Sequence, residues 1–186
     1  ISESKINFEV TEGSYNETEL SGWVHRANMK CPCCGNISSV EYVKNESISG
    51  RLGYRILSVI SDCDNGKNYS APTDAILSIL QSDIPKAERP QELMPIGYNQ
   101  AFPVCLWGYK KWGDIFTERQ IFVIQKFVYN FEKIANSLHN GLYSKAILSF
   151  LAIWINRISI ANTSFGVYHI LREKLERIMS RQSISM

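Results

Sequence analysis

Apolar residues recur most regularly at helical spacing in the second half of the chain. Thr117-Glu-Arg-Gln120 matches a capping box, in which the Thr hydroxyl and the Gln side chain each pair with a backbone donor at a helix start. Apolar positions continue behind it, and Gly141 is typical of a helix end. The pattern predicts two further helices, at residues 143–160 and 167–179. The first of these two is apolar on so much of its surface that we expect burial on most sides.

The first half of the chain carries patterns that are typical of β-strands and tight turns. Three strands are predicted there, at residues 5–10, 40–43 and 54–60. The sequence Asp-Asn-Gly66 favours a hairpin turn. Thr73 can cap a short helix over residues 74–81, whose apolar positions share one face.

Between the two halves lies a stretch whose prolines disfavour both helices and central strands. Its prolines are Pro85, Pro90, Pro95 and Pro103. We therefore predict a β-rich part at residues 1–81, an extended surface linker at 82–103 and a helical part at 104–186. The expected fold class is α+β: a small antiparallel sheet with a cysteine knuckle like that of a zinc ribbon, followed by a three-helix unit.

Composition excludes several classes of protein. The 186 residues are 45% hydrophobic, which is incompatible with wholesale disorder. The net charge of +2 gives no global signature of nucleic-acid binding, although it leaves a local basic groove possible. The longest apolar run, residues 146–155, is interrupted by Ser149 and is shorter than the roughly 20 residues of a membrane helix. No signal peptide opens the chain and its five cysteines are an odd number, so we expect a reduced, cytoplasmic protein without a membrane partner. The chain begins without Met, which we interpret as a fragment.

The sharpest local signal for chemistry is Cys31-Pro-Cys-Cys34-Gly. Two thiolates at this spacing, with a glycine that lets backbone N–H groups point at sulfur, make half of a tetrahedral zinc site. A closed site needs four ligands, and Cys33, Cys63 and His25 are the candidates within the chain. Two alternatives stay open: the missing ligands lie outside this chain, or the knuckle holds no metal.

Aromatic and cationic residues alternate just before the capped helix. Trp107, Tyr109 and Trp112 could form a platform for stacking on nucleic-acid bases, with Lys110 and Lys111 beside them. The alternative, which the local sequence favours, is that the tryptophans pack on the helices and the lysines are solvated. No phosphate-binding Gly-rich loop, nucleophile elbow or acid–base carboxylate pair is present in the sequence, so we expect no self-contained catalytic site.

Taken in order, the motifs resemble the middle of the large adenine-specific DNA methylases that begin with a conserved domain of unknown function. The resemblance spans nearly the whole chain. The motifs that carry it are Val24-His-Arg, Cys31-Pro-x-Cys-Gly, Tyr42-Val-Lys, Ser49-Gly-Arg-Leu-Gly, Gly66-Lys-x-Tyr-x-Ala-Pro-Thr, Trp107-Gly-Tyr-x-x-Trp-x-Asp-x-Phe-Thr-x-Arg-Gln, Tyr143-x-x-Ala and Arg181-Gln-Ser-Ile-Ser-Met.

The resemblance implies a place between two functional motifs of a parent enzyme. The S-adenosylmethionine-binding loop would precede this chain and the catalytic Asp-Pro-Pro-Tyr would follow it. A first cysteine pair would lie upstream of Ile1, which makes Cys31 and Cys34 the second pair of a zinc ribbon, while Cys33 and Cys63 depart from the pattern. The implied partners are double-stranded DNA and the remainder of the parent chain.

We therefore expect a segment that contacts DNA or acts as a scaffold and is inactive alone. The candidate DNA-binding residues are Lys67, Lys110, Lys111, Arg119 and Arg181. For Arg119, pairing with Asp114 or Glu118 at the helix start is the favoured alternative. A second hypothesis is a non-enzymatic ribbon-plus-helix module whose apolar helices dock another protein.

Overall fold

The structure, a computed structural model, describes residues 8–11, 13, 24–25, 28–96 and 103–176. The chain divides into two compact units between Asp83 and Ile84. Among the described residues the architecture is α+β, with small antiparallel sheets and four α-helices. The predicted fold class is confirmed at this level.

The first unit contains a three-stranded antiparallel sheet and a separate hairpin. Strands β1 (Val24–His25), β2 (Asn28–Lys30) and β3 (Ile37–Ser38) pair in sequence order. Strands β4 (Val59–Cys63) and β5 (Gly66–Ser70) form the hairpin, and its turn is the predicted one because Cys63 pairs directly with Gly66.

Two predictions of strands in this unit are wrong. Residues 40–43 begin helix α1 (Val40–Ile48), because the Ser39 hydroxyl accepts a hydrogen bond from the Tyr42 backbone N–H and caps the helix. The strand predicted at 54–60 starts only at Val59, where the partner strand provides backbone hydrogen bonds. Of the strand predicted at 5–10, residues 8–10 are not in a strand and residues 5–7 lie outside the described residues.

The predicted helix starts and the two long helices are confirmed. Helix α2 (Asp74–Gln81) begins after Thr73, whose hydroxyl accepts from the Ile76 backbone N–H. Helix α3 (Glu118–Ser137) begins with the complete capping box of Thr117 and Gln120. Helix α4 (Leu142–Ala161) follows and packs against α3.

The third predicted helix is wrong, so the three-helix unit is a helix pair followed by a hairpin. Strands β6 (Val167–His169) and β7 (Lys174–Glu176) pair antiparallel around a short 3-10 turn. Glu173 has a φ of 47°, a left-handed backbone that interrupts a helix. Arg172 and Lys174 both pair with Glu176, so the charged positions stabilise a hairpin instead of an exposed helix face. Residues 177–179 of that prediction lie outside the described residues.

The proline-rich segment contributes to the core of the second unit. Its described residues form no α-helix and none of the strands β1–β7, but Ala87 and Met94 are buried. The Met94 backbone N–H donates to the Lys110 carbonyl, and Leu93 forms an antiparallel bridge with Lys111. Among the described residues of this unit, the buried hydrophobic ones are Ala87, Met94, Val104, Trp107, Ile115, Ile121 and Phe165. The segment therefore packs against residues 107–118 along part of its length, where the prediction had a surface linker.

Candidate functional site

The cysteine knuckle lies in the loop between β2 and β3. The Cys31 backbone N–H donates to the Asn36 carbonyl at 2.8 Å, and the Gly35 N–H donates to the Cys31 carbonyl at 2.9 Å. Gly35 adopts a φ of 73°, the left-handed conformation that glycine takes without steric cost. These bonds close the loop and hold Cys33 and Cys34 next to Cys31.

The loop surrounds the sulfur of Cys31 with hydrogen-bond donors. The backbone N–H groups of Cys34 and then Cys33 bond to this sulfur and hold the pKa of the Cys31 thiol below its usual value, with smaller contributions from the two neighbouring thiols. Partial burial acts in the opposite direction. A thiol with a lowered pKa is the better metal ligand and the better nucleophile.

The full ligand set predicted for zinc is not assembled by the described residues. They contain no group of three or more His, Cys, Asp or Glu side chains placed to hold a metal ion. Cys33 and Cys34 are exposed, and Cys63 is exposed at the end of β4. The side chain of His25 lies outside the described residues. Cys31 and Cys34 therefore make up at most two of the four ligands that a tetrahedral zinc site needs.

The predicted aromatic platform is not available for base stacking at two of its three positions. Trp107 is only 7% exposed, and the ring of Tyr109 packs edge-to-face on buried Phe165 at 5.0 Å between centroids. Trp112 is 36% exposed, and its backbone N–H donates to the Glu92 carbonyl. Of the two tryptophans that the alternative expects to pack inside, Trp107 is buried and Trp112 is partly exposed.

The predicted cations occupy different environments. Lys67 pairs with Asp62 across the β4–β5 hairpin. Lys111 Nζ donates to Gln91 Oε1 at 2.5 Å, whereas the Lys110 side chain is exposed. Arg119 lies in the first turn of α3, and Arg181 lies outside the described residues.

The two carboxylates expected to pair with Arg119 also accept hydrogen bonds from other groups. Glu118 Oε1 accepts from Arg89 at 2.7 Å. The Asp114 carboxylate accepts from the backbone N–H groups of Lys110 and Lys111 at 2.9 and 2.8 Å. The helix start is thus organised by Arg89, a residue that sequence spacing did not single out.

A row of cations and aromatic rings on α3 is the feature that sequence reasoning missed. Lys133 Nζ lies 4.5 Å from the centroid of the Tyr129 ring, and Lys126 Nζ lies 6.0 Å from the same ring and 5.2 Å from the Phe122 ring. We call this set, together with Arg119 one turn earlier, the basic–aromatic row. In chain order the members are Arg119, Phe122, Lys126, Tyr129 and Lys133, at intervals of 3, 4, 3 and 4 residues. This spacing, which places them on one side of a helix, is the sequence signal for the row.

The basic–aromatic row has the chemistry of a nucleic-acid contact. Tyr129 is 52% exposed, and both lysines are exposed. In the part of the chain that the structure describes, no ion pair involves Lys126 or Lys133. At about 1.5 Å per residue the row extends about 21 Å, roughly the length of six base pairs. Cations can bind phosphates along that length while the tyrosine ring offers a stacking surface.

Helix α4 differs from the expectation for a helix buried on most sides. Phe150 is 75% exposed, and none of the most apolar stretch of α4 is buried. By length and composition it is the one helix of the described residues that could cross a membrane, a test that core helices of soluble proteins also pass. The apolar pattern predicts no helix long enough to cross a membrane, because the longest apolar run is residues 146–155. Helix α4 extends beyond this run at both ends.

Comparison of this chain with protein-family models, with curated proteins and with solved structures finds no match.

Proposed function

We propose that this chain is a non-catalytic segment of an S-adenosylmethionine-dependent, adenine-specific DNA methyltransferase, and that it contacts duplex DNA. The ordered motifs given above support the choice of enzyme class. The observation that carries DNA contact is the basic–aromatic row of α3, where two exposed lysines flank an exposed tyrosine ring.

The chemistry of the proposal divides between this chain and the parent enzyme. S-adenosylmethionine, bound elsewhere in the parent, supplies the methyl group. Enzymes that modify a base inside a duplex must rotate it out of the stack, so they need surfaces that hold the flanking DNA. Lys126 and Lys133 bind phosphates in this proposal, and Tyr129 packs on an exposed base or sugar.

The test is salt-dependent binding of a fluorescent duplex by the full 186-residue chain. Each phosphate contact contributes about 0.9 to the slope of log affinity against log salt concentration. We expect the double variant Lys126→Ala/Lys133→Ala to bind more weakly and to lower the magnitude of that slope by about two. The matched control is Lys86→Ala/Lys145→Ala, which removes two exposed lysines of the same unit outside the row.

Two results would contradict DNA contact through this row. One is the absence of any salt-dependent binding by the unmodified chain at low ionic strength. The other is an equal loss of affinity in the row variant and in the control.

Zinc binding at the knuckle is part of the same proposal. Supporting it, the Cys31 sulfur already accepts two backbone N–H groups, the arrangement that stabilises a metal-bound thiolate. Cys31 and Cys34 provide two ligands, and His25 or residues outside this chain provide the others. The metal would hold the β2–β3 loop rigid.

Competition for zinc with a chromophoric chelator tests this part. Loss of an outer-shell partner lowers the affinity of a metal site roughly tenfold to 100-fold. Cys31→Ser and Cys34→Ser each remove a ligand, so we expect each to lower the zinc affinity of the full chain by at least this factor. Cys105→Ser, in the other unit, should leave the affinity unchanged. Equal affinities for all three variants would exclude the knuckle as the zinc site.

A second candidate function is a protein-docking module without enzymatic activity. The exposed apolar side of α4 favours it, since monomeric soluble proteins rarely leave large contiguous apolar patches exposed.

A further inference from the structure

Helix α4 has three distinct sides. Its half-buried side, on which the helix packs in its own unit, includes Ile147, Leu151, Ile155 and Ile158. A second side is solvated and carries Lys145, Ser149 and Asn156 together with Ala152. The third side is apolar and exposed.

The exposed apolar side contains a narrow line of residues at coiled-coil spacing. Tyr143 and Phe150 are 80% and 75% exposed, and Trp154 is 51% exposed. Together with Ala146 and Arg157 they form a line of five residues at intervals of 3, 4, 4 and 3 positions, in the order Tyr143, Ala146, Phe150, Trp154 and Arg157. At about 100° per residue all five lie within about 80° of the helix circumference. We call these five residues the α4 seam.

We propose that the α4 seam is the contact between two copies of this chain, crossing antiparallel about a twofold axis at Phe150. In an isologous contact each residue meets the residue equally far on the other side of the axis. Phe150 then meets Phe150 of the second copy, Ala146 meets Trp154, and Tyr143 meets Arg157.

The order of sizes and charges along the seam supports this occupant. Ala146 and Trp154 lie four residues on either side of Phe150, so the smallest side chain faces the largest ring. Tyr143 and Arg157 lie seven residues on either side, so a cation faces an exposed aromatic ring at both ends. The seam is therefore complementary to itself when it is reversed.

The charge of α4 disfavours the parallel alternative. The helix carries Lys145 and Arg157 and no acidic residue. A parallel pair would place Arg157 against Arg157 without compensation, whereas the antiparallel pair separates the two arginines by about 21 Å. The Trp154 ring is held edge-to-face by Phe127 of α3 at 5.5 Å, so the seam's largest residue is already positioned. This inference does not rest on the proposed DNA contact.

The test is sedimentation equilibrium of the full chain and its variants. Phe150→Glu places two carboxylates together at the twofold axis, and we expect it to raise the dimer dissociation constant by about 30-fold or more, as loss of a central contact does. Ala152→Glu introduces the same charge on the solvated side of α4 and should leave the constant unchanged. Circular dichroism checks that both variants keep their helix content.

A pair of variants at Tyr143 tests the antiparallel register itself. Tyr143→Glu places a carboxylate against Arg157 of the second copy, so the dimer should persist. Tyr143→Arg places two cations together at each end of the seam and should raise the dissociation constant by about tenfold or more.

Three outcomes would overturn the proposal. The first is a monomeric unmodified chain at a concentration of about 100 µM, which is well above typical dissociation constants of specific dimers. The second is an equal effect of Phe150→Glu and Ala152→Glu. The third is binding of the monomeric chain to phosphatidylglycerol vesicles that Phe150→Glu abolishes, which would make a lipid surface the occupant. The double variant Lys126→Ala/Lys133→Ala should leave dimerisation unchanged. Failure of the DNA proposal can therefore be distinguished from failure of the dimer proposal.

Discussion

Single residues join distant parts of the second unit. The Arg89 guanidinium donates to the carbonyls of Gly113 and Phe116 at 2.6 and 2.7 Å and pairs with Glu118. One side chain thus connects the extended proline-rich segment with the start of α3. Its partners lie 24 to 29 residues away, beyond the range in which spacing rules operate.

The capping box of α3 gives a prediction at this scale. Thr117→Ala removes the hydroxyl that accepts the Gln120 backbone N–H, and we expect a loss of about 1 kcal/mol in the free energy of unfolding. Chemical denaturation measures it. Thr117→Ser keeps the hydroxyl and should retain most of the stability, and an unchanged midpoint for the alanine variant would contradict the role of the cap.

Gly113 gives a second prediction. A Cβ at this position would lie 2.6 Å from the Pro90 carbonyl oxygen and 3.0 Å from the Arg89 Cβ. We expect Gly113→Ala to lower the free energy of unfolding by about 1–3 kcal/mol, because backbone has to move. Gly53→Ala is the control, since no atom lies within 4 Å of its added Cβ. Equal stability of the two variants would show that the contact of Pro90 with Gly113 is looser than described.

At the scale of elements, capping outweighs β-propensity. The β-branched residues Val40 and Val43 favour a strand, yet α1 forms because Ser39 caps it and Asn28 Oδ1 accepts from the Val40 backbone N–H. The element ends with an ion pair in which Arg51 donates two hydrogen bonds to Glu46, each at 2.7 Å.

This ion pair makes the stability of α1 depend on pH. The hydrogen bonds and charge of Arg51 lower the pKa of Glu46 below its ordinary value of 4.5. A carboxylate with a lowered pKa in the folded state contributes stability above its unfolded pKa and loses it as the pH falls through the folded value. We expect the unmodified chain to lose helical signal more steeply below about pH 4.5 than Glu46→Gln does.

Circular dichroism against pH measures this difference. Arg51→Gln should give the same shallow profile, and the double variant should add nothing further, since both changes remove one interaction. Parallel profiles of helical signal against pH for the unmodified chain and Glu46→Gln would contradict this prediction.

On the scale of the whole molecule, the two units have unequal cores. Among the described residues, Val43 is the one buried hydrophobic residue of the first unit, whereas seven are buried in the second unit. Burial of apolar surface is the main favourable term in folding, so stability should be distributed just as unevenly.

Hydrogen exchange of the full chain tests this distribution. We expect the amides of α1 and of strands β4 and β5 to exchange before those of the first turns of α3, where Ile121 is buried. Mass spectrometry of exchanged peptides resolves these segments. Indistinguishable rates for the two sets would mean that the units open together.

The site was predictable only where its geometry is local. The knuckle of Cys31 to Gly35 depends on bonds within six residues, and its form follows from the glycine and the cysteine spacing. The platform prediction failed at Trp107 because that ring is covered by packing. The basic–aromatic row was missed because its members are spread over four turns of one helix, and their exposure depends on which side of α3 packs inward.

The sequence by itself determined the N-terminal caps at Thr73 and Thr117, the hairpin turn, both long helices and the fold class, because each of these depends on interactions within a few residues or on a regular period. Tertiary structure decided the rest. It packed part of the proline-rich segment into a core and left one apolar side of α4 exposed. These outcomes depend on contacts between residues far apart in the chain, which no local pattern encodes.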